Sequence, residues 1–401
     1  MSNGDLILTR SNESRKGVPV RTPHRRVSLS ELCDFVNGNG FRPTDWKASG
    51  LPIIRIQNLN GSRSFNYFDG EAKDEWIVEP GDLLFAWAGV KGVSFGPTVW
   101  SGPRGVLNQH IYRVIPKAGV DSYWLYAALR FVTSRIEAQA HGFKSSLVHV
   151  HKEDITGQLV DLPLLPVQRK VAEVLRTWDR AIDRLGILLG HLRARREALR
   201  AKLIADADRE GAPVIFADFL SESRLPGTNG SKARKITVKL YGKGAVEKHE
   251  HRAGSAGTRY YRRVTGQLLY SKLDFLNGAF AIVPEALDGF ESTLDLPAFD
   301  IADKVNPLWL IEYLTRPGYY TNQTHLARGQ RRARRVPPEE FLASPVRLPD
   351  PSRQDEIVEI LAMADREILR QTEKLTALVE QRRGLMQKLL AGEWRVTGAT
   401  A

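Results

Sequence analysis

Only one of the 401 residues, Cys33, is a cysteine. A disulfide within the chain needs two and a Cys-based zinc cluster needs more, so both are excluded. No apolar run approaches the ~20 residues that span a bilayer. The opening MSNGDLILTRSNES lacks the charged-then-apolar pattern of a secretory leader, so a cytoplasmic protein without a membrane partner is expected. The sequence marks of catalysis are missing too. An adenine methyltransferase needs an Asn/Asp-Pro-Pro-aromatic stretch, and Asn306-Pro307-Leu308-Trp309 lacks the second proline and reads as a helix start. A nucleotide-driven motor needs a phosphate-cradling GxxxxGK[ST] loop, and Gly227-Thr228-Asn229-Gly230-Ser231-Lys232 does not have its spacing. His149-Val150-His151 and His249-Glu250-His251 each set two imidazoles two residues apart, as a strand-borne metal chelate does. No third ligand is suggested near either, so no metal is expected. Together these absences favour a chain with no catalytic residues and no cofactor of its own.

What the chain has is positive charge and a repeat. Net charge is +12, and the pI is about 9.7, which suggests a polyanionic partner. The charge is concentrated: Ser231 to Arg263 holds ten Lys/Arg against Glu247 and Glu250, and Arg328 to Arg335 holds five Arg and no acid. The repeat begins with Val171, Leu175, Trp178, Ile182, Leu185, Leu189, Leu192, Arg196, Leu199 and Leu203. These positions, at alternating steps of four and three, are apolar except for Arg196. A 3.5-residue period is the seam of a coiled coil rather than the broader stripe of a surface helix. Adding 186 to each number gives Ile357, Leu361, Ala364, Ile368, Gln371, Leu375, Leu378, Arg382, Leu385 and Leu389, with the arginine in the same place. Leu162-Pro163 matches Leu348-Pro349, Gln168 matches Gln354, and Asp179-Arg180 matches Asp365-Arg366. Shared leucines are what any two amphipathic helices have; shared Gln, Asp and Arg in one register mean a duplication.

The chain therefore divides into a mobile arm over 1–24, a mixed α/β globule over 25–165, and a long helix over 166–210. A second globule spans 211–350, a second long helix 351–393 and a tail 394–401. Strands are expected at Leu51 to Ile56, Leu83 to Trp87 and Val106 to Val114 in the first globule. In the second they are expected at Lys235 to Leu240, Gly266 to Tyr270 and Ala279 to Val283. Pro166 suits a helix start. Pro351 and Ser352, with Asp355 three residues on, have a capping-box arrangement. Gly186 and Gly190 either admit a neighbouring backbone or bend the first helix. Both apolar seams are hidden most simply by packing the helices against each other, antiparallel because a globule returns the chain between them. With ends matched, Arg196 then falls near 362–366 and Arg382 near 176–180. Two readings stand: salt bridges Arg196 to Asp365 and Arg382 to Asp179 that set the register, or arginines that snorkel out of the seam. The fold class is α+β: two tandem mixed domains braced by an antiparallel helical coiled coil, with a pseudo-twofold internal repeat.

These features resemble the specificity (S) subunits of Type I restriction–modification enzymes. The resemblance is carried by Gly81-Asp82-Leu83-Leu84-Phe85-Ala86-Trp87-Ala88-Gly89 and by Asn108-Gln109-His110-Ile111-Tyr112-Arg113-Val114. It continues in Gly266-Gln267-Leu268-Leu269-Tyr270-Ser271-Lys272, Asn277-Gly278-Ala279-Phe280 and the two helices with their Leu-Pro lead-ins. The family implies two target-recognition domains, each reading half of a split double-stranded DNA target, with the helices as spacer. It also implies two methyltransferase subunits and two motor-nuclease subunits as partners, and those partners rather than this chain use S-adenosylmethionine, ATP and Mg²⁺.

DNA affinity comes chiefly from cations on phosphate, and specificity from side chains that reach base edges. Phosphate candidates are Lys144, Lys232, Arg234, Lys235, Lys239, Lys243, Arg259, Arg331, Arg332, Arg334 and Arg335. Tyr241, Tyr260 and Tyr261 interleave with the central group. Base-reading candidates are Arg55, Gln57, Asn58, Lys91, Ser94 and Tyr241; several of these residue types also form turns. Asn108, Gln109 and His110 belong to the family's shared wording and are read as framework. Two other classes remain open: a self-contained methyltransferase or nuclease, and a coiled-coil scaffold whose basic patches serve solubility.

Overall fold

The computed structural model describes residues 7–10, 25–90, 92–139, 147–249, 254–329 and 334–397. They form two compact units, one drawn from 1–185 and 374–401, the other from 186–373. The units cut through both long helices, Leu165–Glu210 and Pro351–Leu390, so each unit owns one stretch of each helix.

In the first unit a four-stranded antiparallel sheet has the order Cys33–Asn37, Ile111–Pro116, Leu83–Ala86, Gly96–Val99. Leu83–Ala86 is buried at all four positions, which explains its unbroken apolar run. A second sheet has the order Tyr67–Phe68, Leu51–Ile54, Gly105–Leu107, Ile77–Val78, with a parallel pair at its centre. The strand Leu159–Leu162, which leads into the first long helix, pairs with Arg25–Ser28.

The second unit repeats this plan. Its four-stranded sheet runs Leu220–Ser223, Ala298–Ile301, Leu268–Tyr270, Phe280–Ile282 in the same order. The lead-in strand Pro345–Leu348 pairs with Ala212–Ile215. Its core is aromatic, with Tyr270, Phe275, Phe280, Phe299 and Phe341 fully buried. The remaining β-structure differs from the first unit: a three-stranded sheet Pro226–Asn229, Arg259–Arg262, Glu291–Ser292 and a hairpin Ile236–Val238 with Ala245–Glu247.

One buried glutamine latches each long helix to the start of a shorter helix earlier in the same unit. Gln168 accepts from Asp121 N at 2.8 Å and donates to Pro163 O at 2.9 Å and Gly119 O at 3.2 Å. Gln354 accepts from Asn306 N at 2.7 Å and donates to Pro349 O at 2.8 Å and Lys304 O at 3.2 Å. Asp121 and Asn306 in turn cap the helices Ser122–Gln139 and Pro307–Leu314. A fully buried amide is stable only when its donors and acceptor are met, so the repeated Gln is a structural part.

Every seam position on both helices is buried or half-buried. Ile187, Leu188, Met363, Leu369 and Val379, the large apolar residues exposed on the helices, lie off the seam. Within the second unit Arg196 meets Asp365, and Arg353 meets Glu210 at 3.5 Å, so the two stretches run antiparallel. Gly392, at φ +70, follows the end of the second helix, where left-handed backbone suits glycine.

Four expectations are corrected. Val106 to Val114 is not one strand: Gly105–Leu107 and Ile111–Pro116 belong to different sheets, with Asn108–His110 turning between them. The second helix begins at Pro351, so Ser352 lies inside it and forms no capping box. Asp355 instead accepts from Asn306 Nδ2 at 2.7 Å. A Cβ on Gly186 or Gly190 would meet nothing within 4 Å, which removes close backbone approach as their reason. Ile7–Arg10, assigned to a mobile arm, is a strand paired with Trp394–Thr397, assigned to a tail.

Candidate nucleic-acid interface

Most of the basic candidates of the second unit lie on or beside the β-structure in which it differs from the first unit. Lys239, Tyr241 and Lys243 sit on the turn of the hairpin and are exposed. Tyr241 has φ +59, left-handed for a residue with a Cβ. The turn is held there because Tyr241 N donates to Asn277 O at 2.9 Å and Gly242 N to Gly278 O at 2.8 Å. Tyr241 thereby faces Arg196, Arg200 and Glu312 across an opening of about 430 Å³ that no other candidate lines. Lys232 and Arg234 are exposed, with the Arg234 guanidinium 4.1 Å from the Phe290 ring centre. Arg259 is exposed on Arg259–Arg262 and shares a 580 Å³ groove with Arg224, Asn229, Thr258 and Tyr261.

Two clusters far apart in sequence meet in one cleft of about 250 Å³. Lys235, Lys248 and Tyr260 line one part, and Arg335, Asp295 and Asp274 another. Lys235 is nonetheless 8% exposed, its ammonium 5.5 Å from the Tyr260 ring centre. That burial withdraws it from the phosphate candidates, which need a free cation at the surface. Arg334 is exposed, and Arg335 lies 3.5 Å from Asp295. The backbones of Arg328 and Arg335 bond each other at 2.8 Å in both directions. Lys91, Lys144, Arg331 and Arg332 lie outside the described residues.

In the first unit Gln57 is exposed, while Arg55 is half-buried against Trp46 and bonded to Asn66. Asn58 is not a base reader. It is 5% exposed, accepts from Arg55 N at 2.9 Å, and donates to Ser62 O at 3.0 Å and Ser64 O at 2.9 Å. An amide with its acceptor and both donors engaged by main chain has nothing left for a base edge. Ser94 Oγ accepts from Val90 N at 2.7 Å and so shapes the turn that carries it.

The seam arginines each meet the acid of the opposite helix. Arg382 donates from Nε and Nη2 to the Asp179 oxygens at 2.9 and 3.0 Å, and the Tyr123 hydroxyl donates to the same carboxylate. Arg196 donates to both Asp365 oxygens at 3.0 Å and also to both oxygens of Glu312. Burial opposes the charge of each guanidinium, but these carboxylates outweigh it and hold both arginines above their ordinary pKa. Burial, and then the bond to Asp179, raises the Tyr123 phenol. Glu312 and Tyr123 lie on the shorter helices outside the seam, so the heptad pattern carried no sign of them. Arg263 was also unforeseen: fully buried, it donates to Ser292 Oγ at 2.7 Å, Ser223 O at 3.0 Å and Leu296 O at 3.1 Å. With no carboxylate bonded to it, burial pushes it down to about 10.

Among the described residues no three His, Cys, Asp or Glu side chains gather as a metal site requires. No described helix is long and apolar enough to cross a membrane.

Residues 25–188 match the model of the Type I restriction modification DNA specificity domain. The Type I restriction enzyme EcoBI specificity subunit of Escherichia coli is 25% identical over 161 residues, 39% of this chain and 33% of that protein. The MjaVIII specificity subunit of Methanocaldococcus jannaschii is 25% identical over 130 residues, 32% of this chain and 29% of that protein. The matches thus span about a third of each curated relative. Among solved structures, a chain from a type I R-M system, solved to explain complex assembly and conformational transition, superposes with a TM-score of 0.57 at 14% identity. That match covers 92% of this chain and 98% of the other. The S subunit from M. genitalium gives 0.50 at 12% identity, covering 92% and 97%. Residues 25–188 are therefore similar to the Type I restriction modification DNA specificity domain, and the chain as a whole has the fold of the Type I specificity subunit from M. genitalium.

Proposed function

We propose that this chain is the DNA-reading, non-catalytic subunit of a Type I restriction–modification complex, with each unit reading one half of a split duplex target. One observation carries the reading: the same sheet order and the same Gln-latched helix start occur in both units, whereas the β-structure outside that frame differs. A frame used twice with unlike faces is what two readers of unlike half-sites require. The exposed cations Lys232, Arg234, Lys239, Lys243, Arg259 and Arg334 supply the phosphate term. The two arginine–aspartate pairs set the register of the helices, and the gap between half-sites follows from helix length. Inserting one turn into each long helix is expected to change that gap and leave the bases read unchanged. Methyltransferase subunits using S-adenosylmethionine, and motor-nuclease subunits using ATP and Mg²⁺, are the proposed partners, two of each.

The test is incubation of the purified chain with duplex DNA and S-adenosylmethionine, with and without Mg²⁺, alongside selection from a pool of random duplexes. The expected result is no methyl transfer, no cleavage and enrichment of one sequence at physiological salt. Turnover by the chain alone, or retention without sequence preference, contradicts the reading.

A further inference from the structure

In each unit the backbone just beyond the central strand makes the same junction. Trp87, following Leu83–Ala86, donates its N–H to His110 O at 3.2 Å and accepts from Val150 N at 3.3 Å. Lys272, just past Leu268–Tyr270, donates to Asp295 O at 2.9 Å and accepts from Val336 N at 3.0 Å. The paired positions differ by 185, 185 and 186 in number, within one residue of the 186-residue offset of the duplication. The main chain is thus repeated while the side chains are not. The first junction carries Trp87 and His110, rings 5.3 Å apart, and the second carries Lys272 and Asp295, with Arg335 on the carboxylate. In both units the third segment follows a stretch holding phosphate candidates, Lys144 before Val150 and Arg331 to Arg334 before Val336. Main chain fixed by the fold, unlike side chains and neighbouring cations are what a base-reading position needs.

The second junction has the chemistry of one particular base pair. The side chains of Asp295 and Arg335 are 69% and 49% exposed, and both line the cleft with Lys235, Lys248 and Tyr260. An exposed ion pair adds little to folding stability, so stability does not account for it. A guanidinium beside a carboxylate offers N–H donors next to an acceptor. In the major groove a G·C pair offers the complement, guanine N7 and O6 as acceptors and cytosine N4 as donor. We propose that Asp295 and Arg335 together read one G·C pair in the half-site of the second unit, an inference that rests on the DNA-reading function proposed above.

The experiment selects from a random duplex pool with the full chain as wild type, Asp295→Ala, Arg335→Ala and the milder Asp295→Asn and Arg335→Lys, each checked for folding by thermal unfolding. The milder pair serves if an alanine variant does not fold. Loss of roughly tenfold preference at one G·C position, with the other half-site unchanged, is the expected result. Uniform weakening on all duplexes would make Arg335 a phosphate contact and overturn the inference, as would unchanged preferences or changes in both half-sites. A wild type that selects no sequence refutes the DNA-reading function itself, which separates the two failures.

Discussion

Replacing Arg382 with methionine should loosen the first unit at one place. The Arg382 side chain is 9% exposed and that of Asp179 is 31% exposed. Removing one partner of a buried pair costs about 3–5 kcal/mol, because the other charge is stranded; an exposed pair is worth ~0–1 kcal/mol. Asp179 keeps part of its hydration and the Tyr123 hydroxyl, so the expected cost lies between, about 2 kcal/mol. Hydrogen exchange reads this locally, which matters because a two-unit chain has no single unfolding free energy. Amides in 165–185 and 374–390 should exchange about 30-fold faster, while those in 186–210 and 351–373 stay within about twofold. Adding Asp179→Leu should restore most of the protection, since an apolar pair leaves no stranded charge. The matching change Arg196→Met should act on the second unit at a similar cost, about 2 kcal/mol, because Glu312 keeps only Arg200 at 3.5 Å while Asp365 stays 54% exposed. If Arg382→Met changes exchange by less than about twofold, or if the double variant is worse than either single one, the pair is not holding the helices together.

Gln168→Ala and Gln354→Ala should each cost ~1–3 kcal/mol in the unit concerned, seen as lost amide protection, because three main-chain groups lose their buried partner. Asn58→Ala should lower the unfolding temperature without altering which duplexes are selected; altered selection would return it to the base readers. Arg331→Ala with Arg334→Ala should weaken all duplexes about equally and lower the salt slope of log K by about 2, measured by titration across salt concentrations. Burial pushes the Cys33 thiol up to about 12 from its ordinary 9.0. The folded chain therefore holds that proton more tightly, and Cys33 contributes stability below pH 9 that is lost as pH rises toward about 12. A disulfide reagent at pH 8 should find no reactive thiol until the chain unfolds; prompt labelling of the native protein would contradict the burial.

The helices and their register were legible because a seam is periodic and the duplication doubles the signal. The same register, read from the sequence, puts Arg196 and Arg382 opposite Asp365 and Asp179. The second unit's sheet was harder to read, since Ala298–Ile301 keeps the position of Ile111–Pro116 but little of its wording. Individual sites were less legible still. Asn58 and Ser94 have the chemistry of base readers, yet both are occupied by local main chain, and nothing in residue type separates these uses. Lys235 counts toward a charge cluster in sequence and against it once buried under Tyr260. A cluster of like charge marks cations in a sequence but gives no sign of a lone acceptor such as Asp295, and reading a cytosine amine takes an acceptor.

The most direct test is to map methylated bases in a genome expressing this chain with Type I methyltransferase subunits. The account predicts methylation confined to one two-part motif with a gap of fixed length, altered in only one part by Asp295→Ala. Methylation without a motif, or at a single unbroken one, would contradict it.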